Sequence, residues 1–127
     1  MELEGQVALI SGGTRGIGRG IAEAFIAEGA NVVINGRSAD KGAQAIEEMN
    51  AGDQAHFIAG DVTSQEVCEG LVDETVERYG KIDILVPNAG GGTIEGEEPS
   101  PLVDLSDENW QFAVSYTHLT LPTIAGV

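Results

Sequence analysis

Short apolar runs alternate with segments of helical periodicity along residues 6–86. Gln6-Val7-Ala8-Leu9-Ile10, Asn31-Val32-Val33-Ile34-Asn35, Ala55-His56-Phe57-Ile58-Ala59 and Ile82-Asp83-Ile84-Leu85-Val86 read as strands, because each is a brief run bounded by turn residues. Between the first two, Ile17, Ile21, Ala22, Ala24, Phe25 and Ala27 make a broad apolar helix face that Gly29 closes. Ser38 is placed to cap a second helix reaching about Met49, with Ala43, Ile46 and Met49 on its inner face. Thr63 or Ser64 caps a third, whose inner face is Val67, Leu71, Thr75 and Val76 and which ends at Gly80. A β-α-β-α-β-α-β order with near-continuous apolar strands predicts an α/β fold: a doubly wound parallel sheet with helices on both faces and right-handed crossovers. The expected strand order is 3-2-1-4.

Length and charge narrow the class further. The 127 residues suffice for one modest domain, and 42% hydrophobic residues make a buried core feasible. Acidic residues outnumber basic ones 21 to 6, for a net charge of −15. So few cations cannot assemble a basic patch, which excludes nucleic acid and anionic membrane as expected partners. The single cysteine, Cys68, cannot form an internal disulfide. With an acidic N-terminus and no apolar run of about 18 residues, a cytoplasmic protein is expected.

Gly12, Gly16 and Gly18 form G-x3-G-x-G between the first strand and the first helix. One glycine makes the turn, a second lets backbone approach a pyrophosphate, and a third lets helix and strand pack closely, as in a Rossmann-type dinucleotide site. Backbone N–H groups at the helix start then face the phosphates. An ordinary glycine turn is the alternative, and two further segments bear on the choice. Ser11-Gly12-Gly13-Thr14-Arg15-Gly16-Ile17-Gly18 resembles the T-G-x3-G-I-G motif of the short-chain dehydrogenase/reductase family, with Ser11 for Thr. Asp61-Val62 resembles the pair that family places beside adenine. Pro87-Asn88-Ala89-Gly90 resembles its N-N-A-G motif, with Pro87 for the first Asn.

The resemblance covers roughly residues 5–112 and implies the cofactor-binding half of an NAD(P)-dependent oxidoreductase, which transfers a hydride between the cofactor and a carbonyl or alcohol. Gly12, Gly16 and Gly18 would shape the turn, with Thr14, Arg15 and Ile17 touching phosphates and ribose. Asp61 and Val62 would border adenine, and Asn88, Ala89 and Gly90 the cofactor ribose. Alternatives stand beside these roles: a solvated carboxylate or early helix cap for Asp61, and a strand-end turn for Asn88. An acid at the end of the second strand would favour NAD(H). That position is Gly36, followed by Arg37, which can pair with a 2′-phosphate, so NADP(H) is favoured over NAD(H). A solvated loop cation is the other reading of Arg37. The intact protein is expected to be a homo-oligomer acting on a small molecule.

The family's chemistry uses a Tyr-x3-Lys pair with upstream Ser and Asn. Here Tyr116 is followed by Thr120 rather than Lys, and Thr117 stands where the early Asn would fall. No catalytic residue is therefore expected in this chain, and no metal site. Cys68 reads as an inert thiol and His56 as core or edge. Glu95, Glu97, Glu98, Asp104 and Asp107 read as a solvated acidic loop, and Ser106 as the start of a helix leading to Trp110. Residues 114–123 break from the family pattern. Back-translated, they begin GTCTCTTATACACATCT, which resembles a transposase adapter used in preparing sequencing libraries. A half-domain over 1–113 with a non-native tail over 114–127 is expected, its fourth strand left as an apolar sheet edge. Such a fragment is expected to be inactive and poorly soluble or oligomeric. Other readings are a non-catalytic dinucleotide-binding module and, with less suited glycine spacing, an epimerase or dehydratase.

Overall fold

The structure, a computed structural model, describes residues 2–12 and 16–87 and the backbone of residues 123–124. Strand β1 (Val7–Ser11) leads into helix α1 (Gly16–Ala27), followed by β2 (Asn31–Gly36), α2 (Ala39–Met49), a 3-10 turn (Gly52–Gln54), β3 (Ala55–Ala59), α3 (Gln65–Tyr79) and β4 (Ile84–Pro87). A two-residue strand, β5 (Thr123–Ile124), completes the sheet. All pairings are parallel and the order is β3-β2-β1-β4-β5. The doubly wound Rossmann-type fold and the 3-2-1-4 order are thus present. One expectation changes: β4 is not the last strand of the sheet, because Thr123 and Ile124 lie in register with Ile84 and Leu85, two of its four residues. An open strand edge presents unpaired N–H and C=O groups, and even two extended residues can satisfy some of them.

Alternation along the strands divides the core into two layers. Leu9, Val33 and Leu85 point to one face and pack with Cys68, Leu71 and Val72 of α3. Ala8, Ile10, Val32, Ile34 and Val86 point to the other and pack with Ala22 of α1 and Ala45 of α2. Strands buried on both faces can be apolar at every position, which is why these runs do not alternate in sequence.

The helices begin where capping chemistry places them. The Ser38 hydroxyl accepts from the Lys41 N–H at 3.3 Å, and the Ser64 hydroxyl from Val67 N–H at 3.5 Å. Gly80 ends α3 in the left-handed region, as expected. The end of α2 falls to Asn50, also left-handed at φ 47°. Asparagine is among the few residues that tolerate that conformation.

Two helix faces depart from the expected ones. On α2, Ile46 and Met49 pack toward the sheet as expected, but Ala43 is exposed and the fully buried positions are Gly42 and Ala45. A Cβ on Gly42 would fall within the ring of Phe57 from β3, so glycine is what lets the helix approach. On α1, Ile21, Ala22 and Phe25 pack inward as expected and Gly18 is buried with them, while Ile17, Ala24 and Ala27 lie outward. Strand β4 also starts later than expected. Asp83 is held outside the strand because its carboxylate accepts the Val7 N–H at 2.8 Å and its own N–H donates to Val7 O at 2.8 Å. Lys81 pairs with the same carboxylate.

Candidate functional site

Parallel strands bring the loops that follow them to a common edge, so the carboxyl ends of β1, β2 and β3 lie side by side. Ser11 is in register with Asn35 and with Pro87, and Gly36 with Ala59. The glycine turn, Arg37 and Asp61 therefore share one edge of the sheet although about 24 residues separate each from the next.

Two glycines of the turn after β1, Gly12 and Gly16, lie among the described residues, on either side of residues 13–15, which do not. Gly12 and Gly16 take φ of 70° and 62°, values that an L side chain rarely adopts. Helix α1 opens at Gly16, and its first-turn N–H groups have no partner within the helix. Gly18 is buried in the helix interior face, consistent with close packing of helix on sheet. Ile17 is 66% exposed, the one large hydrophobic residue so placed among the described residues. Thr14 and Arg15 lie outside the described residues, as do Asn88, Ala89, Gly90, Trp110 and Tyr116 and the acidic loop over 91–104.

At the end of β3 the chain turns sharply around Asp61. Its Oδ1 accepts the Thr63 N–H at 3.0 Å and the Thr63 hydroxyl at 2.8 Å. Its carbonyl accepts the Ser64 N–H at 3.0 Å. The Thr63 backbone bond, then its hydroxyl bond, hold the Asp61 carboxyl below its ordinary value, with a smaller contribution from the charge of Arg37. The carboxylate is thus ionised and oriented, with both bonds on one oxygen. Val62 is buried against α3, and the Cys68 thiol donates to its carbonyl at 3.4 Å. Burial pushes that thiol up to about 12, so it stays protonated and unreactive at neutral pH.

Arg37 is exposed at the end of β2, and Gly36 before it carries no acid. His56 lies on β3, the edge strand, and pairs with Glu74 at 3.1 Å. Among the described residues no group of three or more His, Cys, Asp or Glu could hold a metal ion, and no helix is long and apolar enough to cross a membrane.

Sequence reasoning missed one participant at this edge. Asn35, read as the end of a strand and as a neutral residue there, is 1% exposed, and its Nδ2 donates to Ile58 O at 3.0 Å and Gly60 O at 3.1 Å. A polar residue directly after Val32-Val33-Ile34, ahead of the turn, was the available signal.

Comparison with known proteins agrees with this architecture. The family model described as short chain dehydrogenase matches residues 6–119. The chain is 40% identical over 109 residues to the cis-2,3-dihydrobiphenyl-2,3-diol dehydrogenase of Paraburkholderia xenovorans, covering 86% of this chain and 37% of that protein. It is 37% identical over 113 residues to the NADP-dependent (R)-specific alcohol dehydrogenase of Lentilactobacillus kefiri, covering 89% of this chain and 43% of that protein. A double mutant of a Serratia marcescens short-chain dehydrogenase/reductase superposes with a TM-score of 0.79 at 30% identity, covering 99% of this chain and 56% of that one. The chain spans less than half the length of these two curated relatives.

Proposed function

The chain belongs to the short-chain dehydrogenase family, whose members are oxidoreductases that bind a nicotinamide dinucleotide, and from that premise we propose that the whole protein transfers a hydride between NADP(H) and a small carbonyl or alcohol substrate. The bound cofactor would supply the hydride chemistry, and this chain's part is to bind and orient it. The observation that carries the reading is the meeting of the positive-φ glycine turn, Arg37 and Asp61 at the ends of adjacent strands.

The residues present fit such a ligand. Gly12 and Gly16 expose backbone where the pyrophosphate would lie, and the start of α1 offers N–H donors and a favourable dipole. Ile17 would lose its exposure against the cofactor, with Thr14 and Arg15 touching phosphates and ribose and Gly18 keeping the helix close to the sheet. The oxygen of Asp61 not held by Thr63 would accept from the adenine amino group, with Val62 beside the ring. Asn88, Ala89 and Gly90 would border the ribose. At the end of β2, Gly36 leaves room for a 2′-phosphate and Arg37 supplies a charge-assisted contact. In a chain of net charge −15 such a cation matters more than usual for holding an anion.

Residues 1–113 then form the cofactor-binding half, residues 114–127 a foreign tail, and the catalytic Ser, Tyr and Lys belong to sequence outside this chain. The 127-residue chain would bind the dinucleotide without turnover. The intact protein would be a cytoplasmic homo-oligomer, with neither nucleic acid nor membrane as a partner. Dissociation constants for NADPH and NADH test the cofactor reading: tighter NADPH binding is expected, and tighter NADH binding sinks it. Re-reading the gene across residues 114–123 tests the tail, since codons that differ from the adapter remove it.

A further inference from the structure

Buried polar side chains are few here, and their positions are not random. Among the described residues they are Ser11, Asn35 and Thr75. Thr75 donates to Leu71 O within its own helix at 2.6 Å. The other two are register partners at the carboxyl ends of β1 and β2, at the edge that carries the candidate site. Asn35 reaches sideways rather than along its strand. Its Nδ2 donates to Ile58 O, the last-but-one residue of β3, and to Gly60 O, the residue before Asp61. Two carbonyls facing one amide end fix its orientation, because only the NH2 group can donate to both.

The same loop is tied at other points. The Gly60 N–H donates to Gly36 O at 3.0 Å. A Cβ on Gly60 would meet Val67 Cγ1 at 2.6 Å and lie 3.8 Å from Asn35 Nδ2, so this segment is wedged between the asparagine and α3. Asn35 therefore joins the strand that ends in Gly36 and Arg37 to the loop that presents Asp61 and Val62. Its Oδ1 is buried without a hydrogen-bond partner. An unsatisfied buried acceptor is destabilising, and an apolar residue would avoid that cost only by taking the donor away from the Ile58 and Gly60 carbonyls.

We propose that Asn35 is a positioning residue for the adenosine end of the site: one buried amide sets the spacing between the Arg37 and Asp61 walls that grip opposite ends of a 2′-phosphoadenosine. This rests on the dinucleotide reading above. Asn35 itself touches no ligand. Loss of its two donors leaves the sheet intact but lets the Gly60–Val62 segment move away from β2.

The test uses the full 127-residue chain and its Asn35→Val variant. Amide hydrogen exchange is read at Gly60, with Leu9 in the central strand as the reference for global opening. Exchange at Gly60 is expected to rise about tenfold or more relative to Leu9. Titration with 2′,5′-ADP and with nicotinamide mononucleotide separates positioning from a general loss of structure. The dissociation constant for 2′,5′-ADP should rise about tenfold, and that for the mononucleotide should stay within about twofold. Asn35→Ser, which keeps one donor, should fall between, and it carries the test if the valine variant does not fold. Exchange at Gly60 that merely tracks Leu9, or equal weakening of both ligands, overturns the proposal. A wild-type chain that binds neither probe overturns the dinucleotide reading and the positioning role with it, whereas failure confined to the variants' exchange and selectivity overturns the role of Asn35 alone.

Discussion

Thr63 holds Asp61 twice, through its backbone N–H at 3.0 Å and its hydroxyl at 2.8 Å, both on the same carboxylate oxygen. Thr63→Val removes the hydroxyl bond and keeps the backbone one. The Asp61 carboxyl should then move part of the way back toward its ordinary 3.8. Because the folded value lies below the unfolded one, its contribution to stability is fully present above the unfolded value and fades as pH falls through the folded value. The variant should therefore lose that contribution at a higher pH on the acid side. A carbon-detected NMR titration of Asp61 reads this directly, and an unchanged midpoint would count against the turn's influence.

Arg37 stands beyond neutral Gly36 at the end of β2 and lowers the Asp61 carboxyl through its charge. In the proposed site, Arg37→Ala should weaken NADPH binding about tenfold while leaving NADH within about twofold. Calorimetric titration of both cofactors distinguishes this from a solvated cation, for which the two would change alike.

Gly42 and Gly70 are both helical, but only one has a neighbour where a side chain would go. A Cβ on Gly42 runs into the Phe57 ring, whereas nothing lies within 4 Å of one on Gly70. Gly42→Ala should destabilise the chain by about 1–3 kcal/mol through overpacking between α2 and β3. Gly70→Ala should stabilise it by about 0.5–1 kcal/mol, the helical advantage of alanine over glycine. Urea denaturation midpoints compare the two on one scale.

Cys68 should react with a disulfide reagent at pH 8 at least about a hundredfold more slowly in the folded chain than in urea, since it is buried and protonated. Its ordinary value of 9.0 is pushed up to about 12 on folding, mainly by burial, so the sign is opposite to that of Asp61. The contribution is complete below 9 and is lost as pH rises from there toward 12. Rapid labelling in the native state, matching the unfolded rate, would show that the α3 side of the core opens readily.

Much of this molecule could be read without coordinates, and for local reasons. Strand and helix types followed from apolar spacing over a few residues, and the caps at Ser38 and Ser64 from side chains that bond their own next turn. Which helix positions face the sheet was less legible. Ala43 and Gly42 are neighbours, and spacing favoured the alanine, but the approach of Phe57 from a different element selected the glycine. Asn50 at the end of α2 was likewise overlooked, because a left-handed asparagine carries no signal as strong as glycine's.

At the candidate site the division is the same. The sequence by itself determined the alternating α/β order and the glycine turn, because backbone sterics at Gly12 and Gly16 and hydrophobic periodicity act within a few residues. Only the tertiary structure decided that Asn35 would serve the Asp61 loop. Its two carbonyl partners lie 23 and 25 residues ahead, and no pattern within β2 specifies where a parallel neighbour will end. Desolvation is the physical reason the partners matter: in water the amide would bond solvent, and only in the closed sheet must it find those two oxygens.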